Sequence, residues 1–274
     1  MIKVIAEIGN NHQGDIRIAR QLIDVAANAG CWAVKSQKRS MRPEWKEKVY
    51  DNPNSFGKTY YEHRAALELS PEQHRELMRY ARDKHLEYFV SPWDSESVME
   101  MEDVGMGRFK VASACLTDST LLAILKNLKK PVILSTGMST KKEIMDAYIQ
   151  LSDCLECIML CTSYYPCDFV DIRLKRLEWL QSLCEGTQIS IGFSGHHKGI
   201  AIDIAAVALG CHYIERHITL DRSMKGSDHA ASLEPSGLIK LLRDLQAFQE
   251  ANTEGPEIVD KEIPIREKLR ASAP

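Results

Sequence analysis

No apolar run in this chain is long enough to cross a bilayer. The nearest approach, IAIDIAAVALG, is short and is interrupted by Asp203. The first residues, MIKVIAEIGNNHQGD, carry Glu7 and Asp15 and lack the charged-then-apolar pattern of a secretory signal. Charge of neither sign is in excess. A formal net charge of −3 and a pI of about 6.3 offer no basic face to nucleic acid or to an anionic membrane. The spacing G-x-G-x-x-G is missing from IAEIGNNHQGD, where a dinucleotide-binding turn would follow a first strand, so such a site is not expected. Eight cysteines are present, but Cys154 and Cys157 form a lone C-x-x-C, with neither a second pair nor a histidine at zinc-finger spacing. Most of the others lie in apolar stretches such as ECIMLCT and ALGCHY, where cysteine acts as a small buried hydrophobe. Free thiols suit a reducing compartment. These exclusions leave a cytoplasmic enzyme acting on small molecules, with no nucleic-acid or membrane partner.

What is present is a regular alternation. The chain has 274 residues, 44% apolar and 27% charged, which is globular composition and enough length for one large core. Short apolar runs ending in Gly, Ser, Thr or Pro predict strands at 4–9, 32–37, 87–92, 108–113, 131–136, 157–162, 189–194 and 213–220. Amphipathic patterns lie between them. DIRIARQLIDVAANAG stops at Gly30, and SPEQHRELMRYARDKH opens with Ser70 as N-cap and Pro71 at the first helical position. TKKEIMDAYIQL and EPSGLIKLLRDLQAFQ follow the same rule. Eight strand–helix units in a chain of this length predict a (β/α)8 TIM barrel over residues 1–251, ahead of a doubly wound open sheet. Residues 252–274 read as a C-terminal extension too short for a second domain. Residues 38–69 read as a long polar loop, a wall or lid over the barrel mouth.

Such barrels carry their chemistry at the C-terminal strand ends. There the chain places Glu7 on the first strand, Lys35 and Gln37 on one side of the second, and Ser91 at the end of the third. The fourth carries Lys110 and Ser113, the fifth Ser135, and Ser163 and Tyr165 follow the sixth. His196 lies just past the seventh strand with Ser194 before it; Glu215 and His217 share a side of the eighth, and Asp228 follows. Two imidazoles on adjacent strand ends suit a divalent metal, although each could merely satisfy backbone groups. Lys35 and Lys110 both sit in apolar strands, where a cation needs an opposite charge. Three readings follow from that: pairing with Glu7 or Glu215, an anion site assisted by the serine hydroxyls, or a Schiff-base nucleophile.

The segments IAEIGNNHQGD, VKSQK, SFGKTYYEH, FKVAS, STGMS, CTSYYPCDFVDIRL, GFSGHHKGIAI and ALGCHYIERHITLDRSMKGSDHAASLEP resemble, in order and over nearly the whole chain, the barrel domain of the sialic acid synthases. That resemblance implies condensation of phosphoenolpyruvate with an open-chain amino sugar, giving a 2-keto-3-deoxy acid and inorganic phosphate. It implies a divalent metal, manganese or magnesium, on His196 and His217, and phosphate held by Lys110, Ser113, Ser135, Ser163 and Ser194. Lys35 and Ser91 would face the carboxylate end, Gln37, Tyr165 and Asp228 the sugar, and Glu7 and Glu215 the reacting carbons. A homodimer is also implied. Two features depart from the family. Cys115 stands where a carboxylate is usual, and the chain stops soon after EKLRAS, without room for the antifreeze-like domain common in the family. A keto-acid aldolase acting through Lys35 or Lys110, and a non-catalytic sugar- or phosphate-binding barrel, are the alternatives.

Overall fold

The computed structural model describes residues 2–270; positions 271–274 of the expected extension lie outside the described residues. Eight parallel strands close into a barrel in chain order: β1 (Lys3–Gly9), β2 (Ala33–Lys38), β3 (Glu87–Pro92), β4 (Phe109–Val111), β5 (Val132–Ser135), β6 (Leu155–Cys161), β7 (Ser190–Gly195) and β8 (Tyr213–His217). β8 pairs back onto β1, with Glu7 opposite His217. All eight predicted strands are found. β4 is shorter than expected because Ser113 already begins a 3-10 turn, Ser113–Cys115.

The helices are α1 (Ile16–Ala29), α2 (Tyr60–Leu67), α3 (Pro71–Asp83), α4 (Ser95–Val104), α5 (Ser119–Leu128), α6 (Lys141–Leu151), α7 (Phe169–Ile172), α8 (Arg176–Cys184), α9 (Ala201–Ala208), α10 (Pro235–Ala251) and α11 (Ile263–Arg270). Their ends follow the local chemistry of the sequence. Gly30 takes a left-handed φ of 84° that closes α1, and Ser70 and Gln73 form a reciprocal capping box at the start of α3. The expected 38–69 loop is not wholly irregular. Thr59 and Glu62 form a second capping box that starts α2, a T-x-x-E signal legible in KTYYEH. Beyond α10 every described residue except Ile258 is exposed, and α11 has no buried side chain.

Strand alternation sorts side chains into two apolar bodies. One lies between strands and helices. The other fills the barrel interior with Ile5, Ala33, Phe89, Ile133, Cys157, Met159 and Tyr213. Space there is tight: a Cβ on Gly192 would stand 3.0 Å from Cys157, Met159 and Tyr213, so any larger residue would make this layer shift. Beneath this layer Lys3 bonds Tyr213, and Arg108 pairs with Glu87 and Glu156. Above it the inward strand residues are mostly polar, with Glu7, Lys35, Gln37, Ser135, Ser194, Glu215 and His217 facing the cavity. The apolar layer is therefore the floor on which the site stands.

On β8, Glu215 and His217 point inward, so Arg216 between them points outward, and it is fully buried. Its guanidinium donates to Asp203 of α9 at 2.5 Å, to the carbonyl of His197 at 2.7 Å and to that of Gly199 at 2.8 Å. This explains the aspartate inside the apolar run IAIDIAAVALG. Removing one partner of a buried pair strands the other charge, at a cost of about 3–5 kcal/mol. Asp203→Ala is expected to lose that much in urea unfolding, while Asp203→Glu loses less; equal midpoints for Asp203→Ala and the unmodified protein would contradict this.

Candidate active site

At the C-terminal ends of the strands lies a cavity of about 160 Å³. Glu7, Lys35, Gln37, Ser135, Ser194, Glu215 and His217 reach it from the strands, and Ser113, Ser163, Tyr165 and His196 from the turns that follow. Eleven of the fourteen predicted site residues thus line one cavity. The other three lie one contact behind it. Ser91 accepts a hydrogen bond from Lys35 at 2.9 Å, Lys110 donates to Glu215 at 2.5 Å, and the Asp228 carboxylate stands 3.8 Å from His217 Nδ1. Cys161 and Met138 also line the cavity and were not anticipated. The two-residue step Cys157, Met159, Cys161 places that thiol inward, and this period was readable; Met138 sits on a turn and left no such signal.

The floor holds four charges. Lys35 Nζ is 2.5 Å from Glu7 and 3.9 Å from Glu215, and Lys110 takes the other oxygen of Glu215. Ser194 donates to Glu215 at 3.1 Å, and Gln37 donates to Glu7 at 3.0 Å. Of the readings open for the lysines, pairing is therefore realised for both. The two carboxylates are driven apart. Burial raises the pKa of Glu7 above the ordinary carboxylate range, and the neighbouring Glu215 charge adds to this against Lys35. Burial acts the same way on Glu215, but Lys110 and then Lys35 outweigh it and hold it at about 2. One carboxylate is a fixed anion and the other is ready to carry a proton. Burial disfavours the Lys35 ammonium, yet Glu215 and Glu7 raise its pKa, so it is held as a cation rather than a free amine.

Above the floor are the imidazoles, with ring centroids 5.4 Å apart. The Nδ1–H of His196 donates to the carbonyl of Thr162 at 2.7 Å, which leaves Nε2 with its lone pair. Burial lowers the pKa of His217 to about 3, so that ring is neutral, and its buried Nδ1 has no hydrogen-bond partner. Burial lowers the pKa of His196, but the neighbouring Cys161 thiol and the Thr162 carbonyl outweigh it and raise it. A carbonyl-fixed His196 tautomer and an orphaned nitrogen on the neutral His217 ring fit a divalent ion, which would take the place of a proton on His196. Among the described residues no cluster of three or more His, Cys, Asp or Glu could hold one. Tyr165 packs over both rings, with centroids 4.0 Å from His196 and 5.5 Å from His217.

Opposite stand the hydroxyls. The backbone N–H of Gly137 donates to Ser113 at 3.0 Å, and a Cβ there would lie 2.0 Å from the hydroxyl oxygen of Ser163, so glycine is required for this approach. Ser135 is buried with its hydroxyl unpartnered, a donor that a bound anion would satisfy. Cys115 does not reach the cavity. It packs in the core between strands and helices, and burial pushes its thiol up to about 11, so it is neutral. The thiol stands in apolar surroundings and leaves no gap in the wall.

Residues 22–257 match the NeuB family. The chain is 37% identical to the N-acetylneuraminate-9-phosphate synthase of Homo sapiens, over 98% of this chain and 76% of that one. It is 35% identical to the N,N'-diacetyllegionaminic acid synthase of Campylobacter jejuni, over 92% and 78% respectively. The crystal structure of the N-acetylneuraminic acid synthetase from Leptospira borgpetersenii, in complex with citrate, superposes with a TM-score of 0.82 at 29% identity, covering 98% of this chain and 92% of that one.

The Glu215 anion makes acid stability testable. Its folded pKa of about 2 lies below the ordinary 4.5, so its contribution is complete above about pH 4.5 and is lost as pH falls toward 2. Urea midpoints of the unmodified protein are expected to fall across that window. Glu215→Gln should start lower at pH 7 and show a shallower slope; parallel slopes would refute the assignment.

Proposed function

Because the chain belongs to the NeuB family, we propose that it condenses phosphoenolpyruvate with an open-chain aldose, N-acetylmannosamine or a related amino sugar. The products are a sialic-acid-like 2-keto-3-deoxy sugar acid and inorganic phosphate. The observation that carries this reading is the split pair of carboxylates on a lysine-neutralised floor, between two imidazoles and a set of serine hydroxyls.

In this reading Ser113, Ser135 and Ser163, with the Gly137 turn, receive the phosphate, and Lys35 faces the carboxylate of the same substrate. Gln37 and Tyr165 flank the sugar, with Asp228 behind His217. A divalent ion held by His196 and His217, manganese or magnesium, would polarise the aldehyde oxygen when bound. C3 of the enol attacks the aldehyde carbon, forming the new C–C bond, and the aldehyde oxygen takes up a proton. Water adds to the cation left at C2 and gives its proton to Glu7, the carboxylate whose environment favours protonation. The C2–O bond to phosphorus then breaks and phosphate departs with the electron pair, while the C2 hydroxyl closes to the carbonyl and its proton leaves with the phosphate. The Lys35 and Lys110 ammonium groups hold Glu215 as an anion beside the cationic carbon.

A Schiff base needs a neutral amine, and the held cation of Lys35 speaks against it. A binding-only barrel is disfavoured by the paired carboxylates and lysines at the cavity, which a site that only binds does not need. No helix among the described residues is long and apolar enough to cross a membrane. All eight cysteines are free, which supports a cytoplasmic location. Met138, Phe169 and Val170, apolar and exposed beyond β5 and β6, suit the subunit contact of a homodimer.

The test is an acceptor panel with phosphoenolpyruvate and manganese, read by phosphate release and product mass. Release should require both an aldose and a divalent cation. Borohydride trapping of substrate on Lys35 or Lys110 would overturn the reading in favour of an aldolase. His196→Ala and His217→Ala should each lose turnover by about a hundredfold or more while keeping their circular dichroism. Cys115→Ser should stay within about threefold of the unmodified rate, since a neutral thiol off the cavity moves no proton.

A further inference from the structure

Just past the cavity wall, Arg39 is buried and touches no part of the cavity itself. Its guanidinium lies 3.7 Å from the ring of Trp93, which does line the cavity. Nη2 donates to Gln37 Oε1 at 3.0 Å, and the same Gln37 donates from Nε2 to Glu7 Oε1 at 3.0 Å. A primary amide has one accepting and one donating end. With a cation fixed at Oε1, only Nε2 can face the Glu7 carboxylate; the flipped amide would set donor against donor and acceptor against acceptor. Arg39 is itself anchored. Its backbone N–H donates to Glu68 at 3.0 Å, its Nη1 stands 3.6 Å from the same carboxylate, and Glu68 caps the C-terminus of α2.

We propose that Arg39 is a positioning residue, which sets the amide of Gln37 and through it the oxygen of Glu7, and which ties residues 39–68 to the reacting centre. This rests on the condensing function proposed above. Arginine is needed for its shape as well as its charge. One planar fork reaches Gln37 and Glu68 while lying on Trp93, and a lysine ammonium cannot do all three.

The test has two arms. In substrate-free protein, the Gln37 side-chain amide pair is assigned in 15N-labelled samples by its loss in Gln37→Ala. Arg39→Lys and Arg39→Ala should both move it and speed its exchange with solvent. In turnover, Arg39→Ala should lower kcat by about tenfold with less change in KM. In a Gln37→Ala background the same substitution should cost less than about twofold, because the route is already cut. Arg39→Lys should fail to rescue. An unmoved Gln37 amide, full rescue by lysine, or equal losses in both backgrounds would overturn the proposal. Absence of phosphate release by the unmodified protein would instead count against the condensing function, and the amide arm would still decide whether Arg39 holds Gln37.

Discussion

Everything at the barrel mouth depends on Lys35. Its ammonium sits between Glu7 and Glu215 in a site from which water is largely excluded, and without it two carboxylates would face each other uncompensated. Lys110 completes the balance from the far side of Glu215. Two cations against two anions let the floor be ionic without a net charge. The division is uneven, though. Glu215 has two ammonium partners and Glu7 has one, so one carboxylate is a permanent anion and the other a proton carrier.

The apolar layer beneath gives that balance its rigidity. Phe89, Ile133, Met159 and Tyr213 fill the barrel so that the charges above them cannot sink. The same packing keeps water from reaching the ion pairs from below, which strengthens them. Outside the strands, a second apolar body carries the helices, and Cys115 belongs to it. The departure that looked like a missing acid is an apolar packing position.

Much of this was legible in the residues. Strand period located the barrel and placed the seven cavity residues that lie on strands, because a two-residue step fixes which side chains share a face; the four on turns came from their position just past a strand end. Pairing could be suspected but not assigned: Lys35 and Lys110 each had two possible carboxylates, and only distance decides. Arg39 was invisible for a different reason. Gln37 lies two residues before it, but Glu68 and Trp93 come from separate segments that only the fold brings to it, and no spacing records that. The helix at Tyr60–Leu67 was hidden by composition, since its polar face and flanking turn residues read as loop, although its capping box was in plain view.

The outward Arg216 has a meaning beyond stability. It stands between Glu215 and His217, so inward and outward roles alternate residue by residue along β8, and its partner His197 stands next to His196 in the turn after β7. Sliding β8 by one position would carry the guanidinium into the cavity and drive the glutamate and the imidazole among the helices. The pair with Asp203 forms in the native alignment, where Arg216 is the outward residue. It acts as a key that admits a single register. Damage on the hidden side of the sheet would therefore surface as an enzyme that is folded but chemically scrambled.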